Sequence, residues 1–169
     1  SRATITPPAL PRPPAWICAL TLQAYSHAPR NCCLRASNAL AASDVVAAIG
    51  VVGLDFYRQH AAPEAQRRAL HAFLEMARRH DLPVALHCRD AYAELLTILE
   101  EHRSSVLRGV IHCASGPAEF IQGALRLGFH ISFSGTVTFP NAQATQALVA
   151  LVPDDRLLKH PADRAAVDW

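Results

Sequence analysis

The sequence predicts a parallel α/β protein, either an open sheet or an incomplete (β/α)8 barrel. Three observations carry that reading. From residue 44 onward, short apolar runs alternate with amphipathic stretches at a spacing of roughly 25 residues, the rhythm of strand–helix–strand units. The apolar runs are hydrophobic on both faces, as strands covered by helices must be. The chain has 169 residues, whereas a closed (β/α)8 barrel takes roughly 200–250. About four to five β/α units are recognisable.

Each element has a local reason. Val45 to Gly50 and Val51 to Leu54 read as one buried strand. Pro63 opens a helix, where its missing N–H costs nothing. In that helix Ala69, Leu70, Phe73, Leu74 and Ala77 form an apolar stripe opposite Arg67, Arg68, Glu75, Arg78 and Arg79. Asp81-Leu82-Pro83 stops it, and Val84 to Cys88 is a short strand. Asp90 is the expected N-cap of a helix through Leu95, Leu96, Ile98 and Leu99. Gly109 to Cys113 is a strand. Pro117 opens the next helix, with Phe120, Ile121, Ala124 and Leu125 inward and Gly128 ending it. Phe129 to Ser134 is a strand, Asn141 to Leu151 is helical, and Arg156 to Leu158 begins another strand.

Residues 1–43 do not share this rhythm. They carry Pro7, Pro8, Pro11, Pro13, Pro14 and Pro29 and adjacent Cys32 and Cys33, and consecutive prolines block helix hydrogen bonding. One element is expected there, over Trp16 to Tyr25. Three regions follow: 1–43 unassigned, 44–158 the β/α portion, and 159–169 a divergent tail.

Composition excludes several classes. At 51% hydrophobic and 18% charged the chain can bury a core. No apolar run is long enough for a membrane helix, and the proline-broken first residues make a poor signal peptide. Five cysteines without a Cys-x-x-Cys pair argue against a disulfide scaffold or a structural zinc site, so a reducing cytoplasmic location is expected. A net charge of +2 does not by itself imply a nucleic-acid partner.

Two His-Cys pairs stand out, His87-Cys88 and His112-Cys113, each ending a predicted parallel strand. Side chains alternate across a strand. Val84, Leu86 and Cys88 therefore share the helix-covered face, and His87 points the other way. Ile111 and Cys113 likewise oppose His112. Both histidines are expected at the C-terminal strand ends on the interior face, where barrel active sites lie. Neutral imidazoles on neighbouring strands can ligate a divalent metal. The competing reading is of two hydrogen-bonded core histidines.

Arg89 could hold an anion beside them, and Arg58 could contact phosphate or be a solvated loop residue. Asp55 is favoured as a structural hydrogen-bond acceptor over a catalytic carboxylate. Ser115-Gly116 can present backbone N–H groups to an anion, or form an ordinary turn. Cys88 and Cys113 are expected packed and inert. His71, His80, His102 and His130 read as structural, and Asp154-Asp155 as a solvated turn.

Five ordered stretches resemble the TatD family of metal-dependent hydrolases, the TatD-type deoxyribonucleases. They are AIGVVGLDFYRQ (48–59), LPVALHCRDAYAELLTIL (82–99), GVIHCASG (109–116), LGFHISFSGTVTFPNA (127–142) and VPDDRLL (152–158). The resemblance implies an incomplete TIM-type (β/α)8 barrel. It implies two divalent metals (Mg, Mn or Zn) that activate water against a phosphodiester, with DNA or another phosphoester as substrate and no membrane. Metal-ligand histidines of the family fall on His87 and His112, and family-typical basic positions on Arg58 and Arg89.

The pattern also departs from the family. The bridging Glu of the family's GEIGLD strand is Val51 here, which has no lone pair to offer. No His-x-His occurs in residues 1–43, and the family's acidic closing strand end is replaced after Leu158 by Lys159-His160-Pro161. These departures suggest a truncated or frame-shifted member. They motivate an alternative in which the chain is a non-catalytic remnant or interaction module of the same fold. Another metal-dependent barrel of the amidohydrolase type explains GLDFYR and HCxSG less well.

Overall fold

The computed structural model describes residues 15–18, 37–43, 46–58, 61–103 and 107–159. Six parallel strands form one sheet in chain order: β1 (Ala15–Cys18), β2 (Val46–Asp55), β3 (Val84–Arg89), β4 (Gly109–Ile111), β5 (His130–Phe133) and β6 (Leu157–Lys159). Each strand lies beside its predecessor and β1 and β6 are the outer strands, so among the described residues this is a barrel wall that does not close. Of the element expected over Trp16 to Tyr25, the described part is β1, paired with β2 through Trp16–Ala48 and Ile17–Ile49. Cys32, Cys33 and the tail beyond Lys159 lie outside the described residues.

The connections are helical: α1 (Pro63–Arg79), α2 (Tyr92–Glu101), α3 (Ala118–Arg126) and, after a 3-10 turn at Gly135–Thr138, α4 (Gln143–Val149). Parallel neighbours need such crossovers. Pro63 does open α1, as expected. The end of α3 is a Schellman turn. Gly128 takes φ 89°, its N–H bonds Leu125 O at 3.0 Å, and the Phe129 N–H bonds Ala124 O at 3.1 Å.

Three expected boundaries move. Asp90 does not cap α2: it has φ 56°, and Ala91 occupies the cap position with no side-chain hydrogen bond. Pro117 is the cap residue of α3 rather than its first helical residue. Strand β4 ends at Ile111, because Cys113 turns into the left-handed region at φ 50°.

The core lies between sheet and helices. Ile49, Val52, Leu54, Val84, Leu86, Ile111 and Ile131 meet Leu70, Phe73, Leu74, Leu95, Leu99, Phe120 and Ile121 in one buried cluster. Each such side chain contributes about 1.5–3 kcal/mol when fully buried. Arg67 of α1 pairs with Glu94 of α2 and lies over the Phe56 ring, which ties two helices to the loop after β2. Among the described residues no helix is long and apolar enough to cross a membrane.

Candidate functional site

The register of β2 and β3 decides what faces the open side of the sheet. Gly53 pairs with His87, Leu54 with Cys88 and Asp55 with Arg89. Paired residues of parallel strands point to the same side, so Leu54 and Cys88 join the core while Asp55, His87 and Arg89 share the opposite face. On β4, Ile111 is level with Leu86, and the ladder continues with the His112 N–H to Leu86 O at 2.8 Å. His112 therefore follows Ile111 as His87 follows Leu86. Both histidines stand at equivalent positions on neighbouring strand ends.

Asp55 is the best-held polar group of this rim. Its Oδ1 accepts the N–H groups of Tyr57 at 3.1 Å and Arg58 at 2.9 Å, and its Oδ2 faces His87 Nε2 at 3.2 Å. Burial pushes its carboxyl up, but the hydrogen bonds from Arg58 N–H, His87 and Tyr57 N–H outweigh that and hold it below the ordinary carboxylate range. The structural role expected of Asp55 is present. The same carboxylate also faces the β3 histidine, so it belongs to the site as well.

Below it sits Gln66 of α1, which is 2% exposed. Its side-chain amide donates to Asp55 O at 3.0 Å and Ala61 O at 2.8 Å, and its carbonyl accepts Asp55 N–H at 2.7 Å. Sequence reasoning passed over Gln66. The signal was available, since residue 66 falls on the helical repeat of Leu70, Phe73 and Ala77, a polar residue inside an apolar stripe.

The two arginines differ. Arg58 is exposed, and its backbone is fixed by Asp55. The Arg89 guanidinium lies over the Tyr57 ring, 3.8 Å from its centroid, a cation–π contact that sequence reasoning did not foresee. Val51 is the extra residue of a bulge in β2, because Gly50 pairs with Ala85 and Val52 with Leu86. It brings no donor atom to the rim.

The cysteines divide as well. Cys88 is buried among core side chains, and burial pushes its thiol up to about 12, so it is inert as expected. Cys113 is not turned to the opposite face from His112. The strand has already ended there, and Cys113 Sγ lies 3.7 Å from His112 Nε2. Ser132 of β5, which is buried, accepts the Cys113 N–H at 3.3 Å and joins the rim unforeseen. In the β4–α3 loop, the Tyr92 hydroxyl meets Ser115 Oγ at 3.3 Å.

Imidazole nitrogens and a carboxylate are donors that suit a divalent metal. Among the described residues, however, no three His, Cys, Asp or Glu side chains form a group that could hold one. Asp55 and His87 face each other at 3.2 Å, and His112 directly follows the end of the neighbouring strand β4.

The TatD-related DNase family model matches residues 23–159. A metal-dependent hydrolase of Bacillus subtilis, YabD, is 35% identical over 119 residues, which are 70% of this chain and 47% of that protein. The 3'-5' ssDNA/RNA exonuclease TatD of Dickeya dadantii is 38% identical over 120 residues, 70% of this chain and 46% of that protein. A solved TatD homologue from Escherichia coli K12 superposes with a TM-score of 0.73 at 29% identity, covering 85% of this chain and 54% of that one. The chain spans about half the length of the curated relatives it matches.

Proposed function

Since the chain belongs to the TatD-related DNase family, we propose that it serves metal-dependent hydrolysis of phosphodiester bonds in nucleic acid. The observation that carries this reading is the polar rim of Asp55, His87 and His112 at the C-terminal ends of β2, β3 and the β4 ladder. Barrel enzymes work at that end of the sheet. His87 and His112 are the proposed metal ligands. The exposed Arg58 and the rim residue Arg89 supply positive charge for phosphate. The names of the relatives support a metal ion, which we take to be divalent, Mg²⁺, Mn²⁺ or Zn²⁺, two per site in the family manner. When bound, such an ion supplies charge that polarises a phosphodiester and eases deprotonation of water.

This chain's own part is to hold the rim still. Gln66 fixes the Asp55 backbone, Asp55 fixes the loop that carries Arg58, and Asp55 orients the His87 ring. Single-stranded DNA or RNA is the proposed substrate, in line with the relative from Dickeya dadantii, and the cytoplasm the proposed location.

Two observations favour a second reading. Val51 stands where the family pattern has its bridging Glu, and the described residues form no three-ligand group, as a non-catalytic member of the fold would show. Cleavage of end-labelled single-stranded DNA by the purified chain separates the two. The hydrolase reading expects cleavage stimulated by Mg²⁺ or Mn²⁺, abolished by a chelator and lost in His112→Ala. Cleavage no greater than in a metal-free control establishes the non-catalytic reading.

A further inference from the structure

We propose that Tyr57, seated on Arg89, is a stacking platform for an unpaired nucleobase of the substrate. This rests on the nucleic-acid reading above and deepens it. Tyr57 is 62% exposed, the most exposed of the large hydrophobic side chains among the described residues. It stands two residues beyond the end of β2, and its N–H is tied to the Asp55 carboxylate that faces His87. One face of its ring is covered by the Arg89 guanidinium at 3.8 Å. A large aromatic ring held out to solvent loses the benefit of burial unless something covers it.

The chemistry of the covering partner can be read from the ring's surroundings. A ring with a cation on one face offers the other face to a flat π-system, and every nucleobase has one. Sequence-tolerant binding of single strands combines such aromatic stacking with nearby positive charge for the backbone. Both parts are present. Among the described residues neither Arg58 nor Arg89 is engaged in an ion pair with a carboxylate. The contact with the ring holds the Arg89 guanidinium beside the platform, where its N–H groups can donate to phosphate oxygens. In a duplex the bases are stacked on each other, so the platform selects a single strand or a frayed end.

The test is binding of the full chain, in a chelator so that no cleavage occurs, to labelled oligothymidylate and to an abasic strand of equal length. Fluorescence anisotropy reads both. Base stacking is worth about 5- to 150-fold in affinity. Tyr57→Ala should weaken oligothymidylate binding by that factor and leave abasic binding unchanged, while Tyr57→Phe, which keeps the ring, should bind both like the parent. An equal loss on both strands, or no loss on either, overturns the proposal. Failure of the parent chain to bind either strand overturns the platform and the nucleic-acid reading together. Base-dependent binding through Tyr57 without metal-stimulated cleavage leaves the platform standing and removes only the hydrolase reading.

Discussion

Replacing Gln66 by Met isolates the contact that holds the rim to the helix layer. Methionine keeps most of the volume, so little cavity opens. It removes three hydrogen bonds of 2.7, 3.0 and 2.8 Å from a side chain that is 2% exposed. Two of these satisfy the N–H and C=O of Asp55 itself. At about 1 kcal/mol each the loss is about 3 kcal/mol, and it grows if water cannot reach the groups left behind. For a chain of this size each kcal/mol moves the melting temperature by about 2–4 °C, so Gln66→Met should melt about 6–12 °C below the parent. Thermal unfolding followed by circular dichroism measures this, with Gln122→Met on the exposed face of α3 as a control expected within about 0.5 kcal/mol. A Gln66→Met variant as stable as the control would refute the reasoning, because the amide would then be dispensable to the strand end it binds.

Other consequences are equally specific. A methyl group at Gly53 would overlap the His87 backbone carbonyl, which cannot retreat without breaking the β2–β3 ladder. Gly53→Ala should therefore cost more than about 3 kcal/mol in denaturant titrations. His71 Nδ1 and His102 Nε2 lie 2.8 Å apart between α1 and the end of α2. Burial, then His71, holds His102 below the ordinary imidazole value of 6.5, against opposing pulls from Glu75 and Glu101. The unfolded chain then takes up the proton first. The stability from this pair is present above that ordinary value and falls away as pH drops through and below it, and His102→Gln should flatten the profile. Cys88, with its thiol pushed up to about 12, should resist alkylation at mildly alkaline pH in the native chain and react once denaturant is added. The Asp55 carboxyl is held below its ordinary range. Its contribution is thus present above about pH 4 and lost as pH falls further, so Asp55→Asn should destabilise at neutral pH and much less in acid.

The β/α rhythm was legible because a strand covered by helices must be apolar on both faces and an outer helix on only one. That contrast placed β2, α1 and β3 within a residue or two and put His87 and Asp55 at strand ends. What escaped depends on backbone geometry that hydropathy does not encode. Asp90 reads as a cap by residue type, yet it adopts φ 56° and the cap falls on Ala91. Alternation assigned Cys113 to the face opposite His112, but the strand stops one residue before His112 and the left-handed turn brings the thiol back towards the imidazole. Tyr57 and Arg89 are far apart in sequence, and only the pairing of Asp55 with Arg89 brings them together. Gln66 was the exception. Its place in the apolar stripe of α1 marked it, and a polar residue in such a stripe is a buried hydrogen-bond partner waiting to be named.

The central claim is that the strand-end histidines form part of a working metal site. Calorimetric titration of the purified chain with Mg²⁺, Mn²⁺ and Zn²⁺, beside the His87→Ala/His112→Ala double variant, tests it most directly. The account predicts saturable binding of at least one of these ions that the double variant loses while remaining folded. A folded parent chain that binds none of them, or that binds as well without the two histidines, would contradict it.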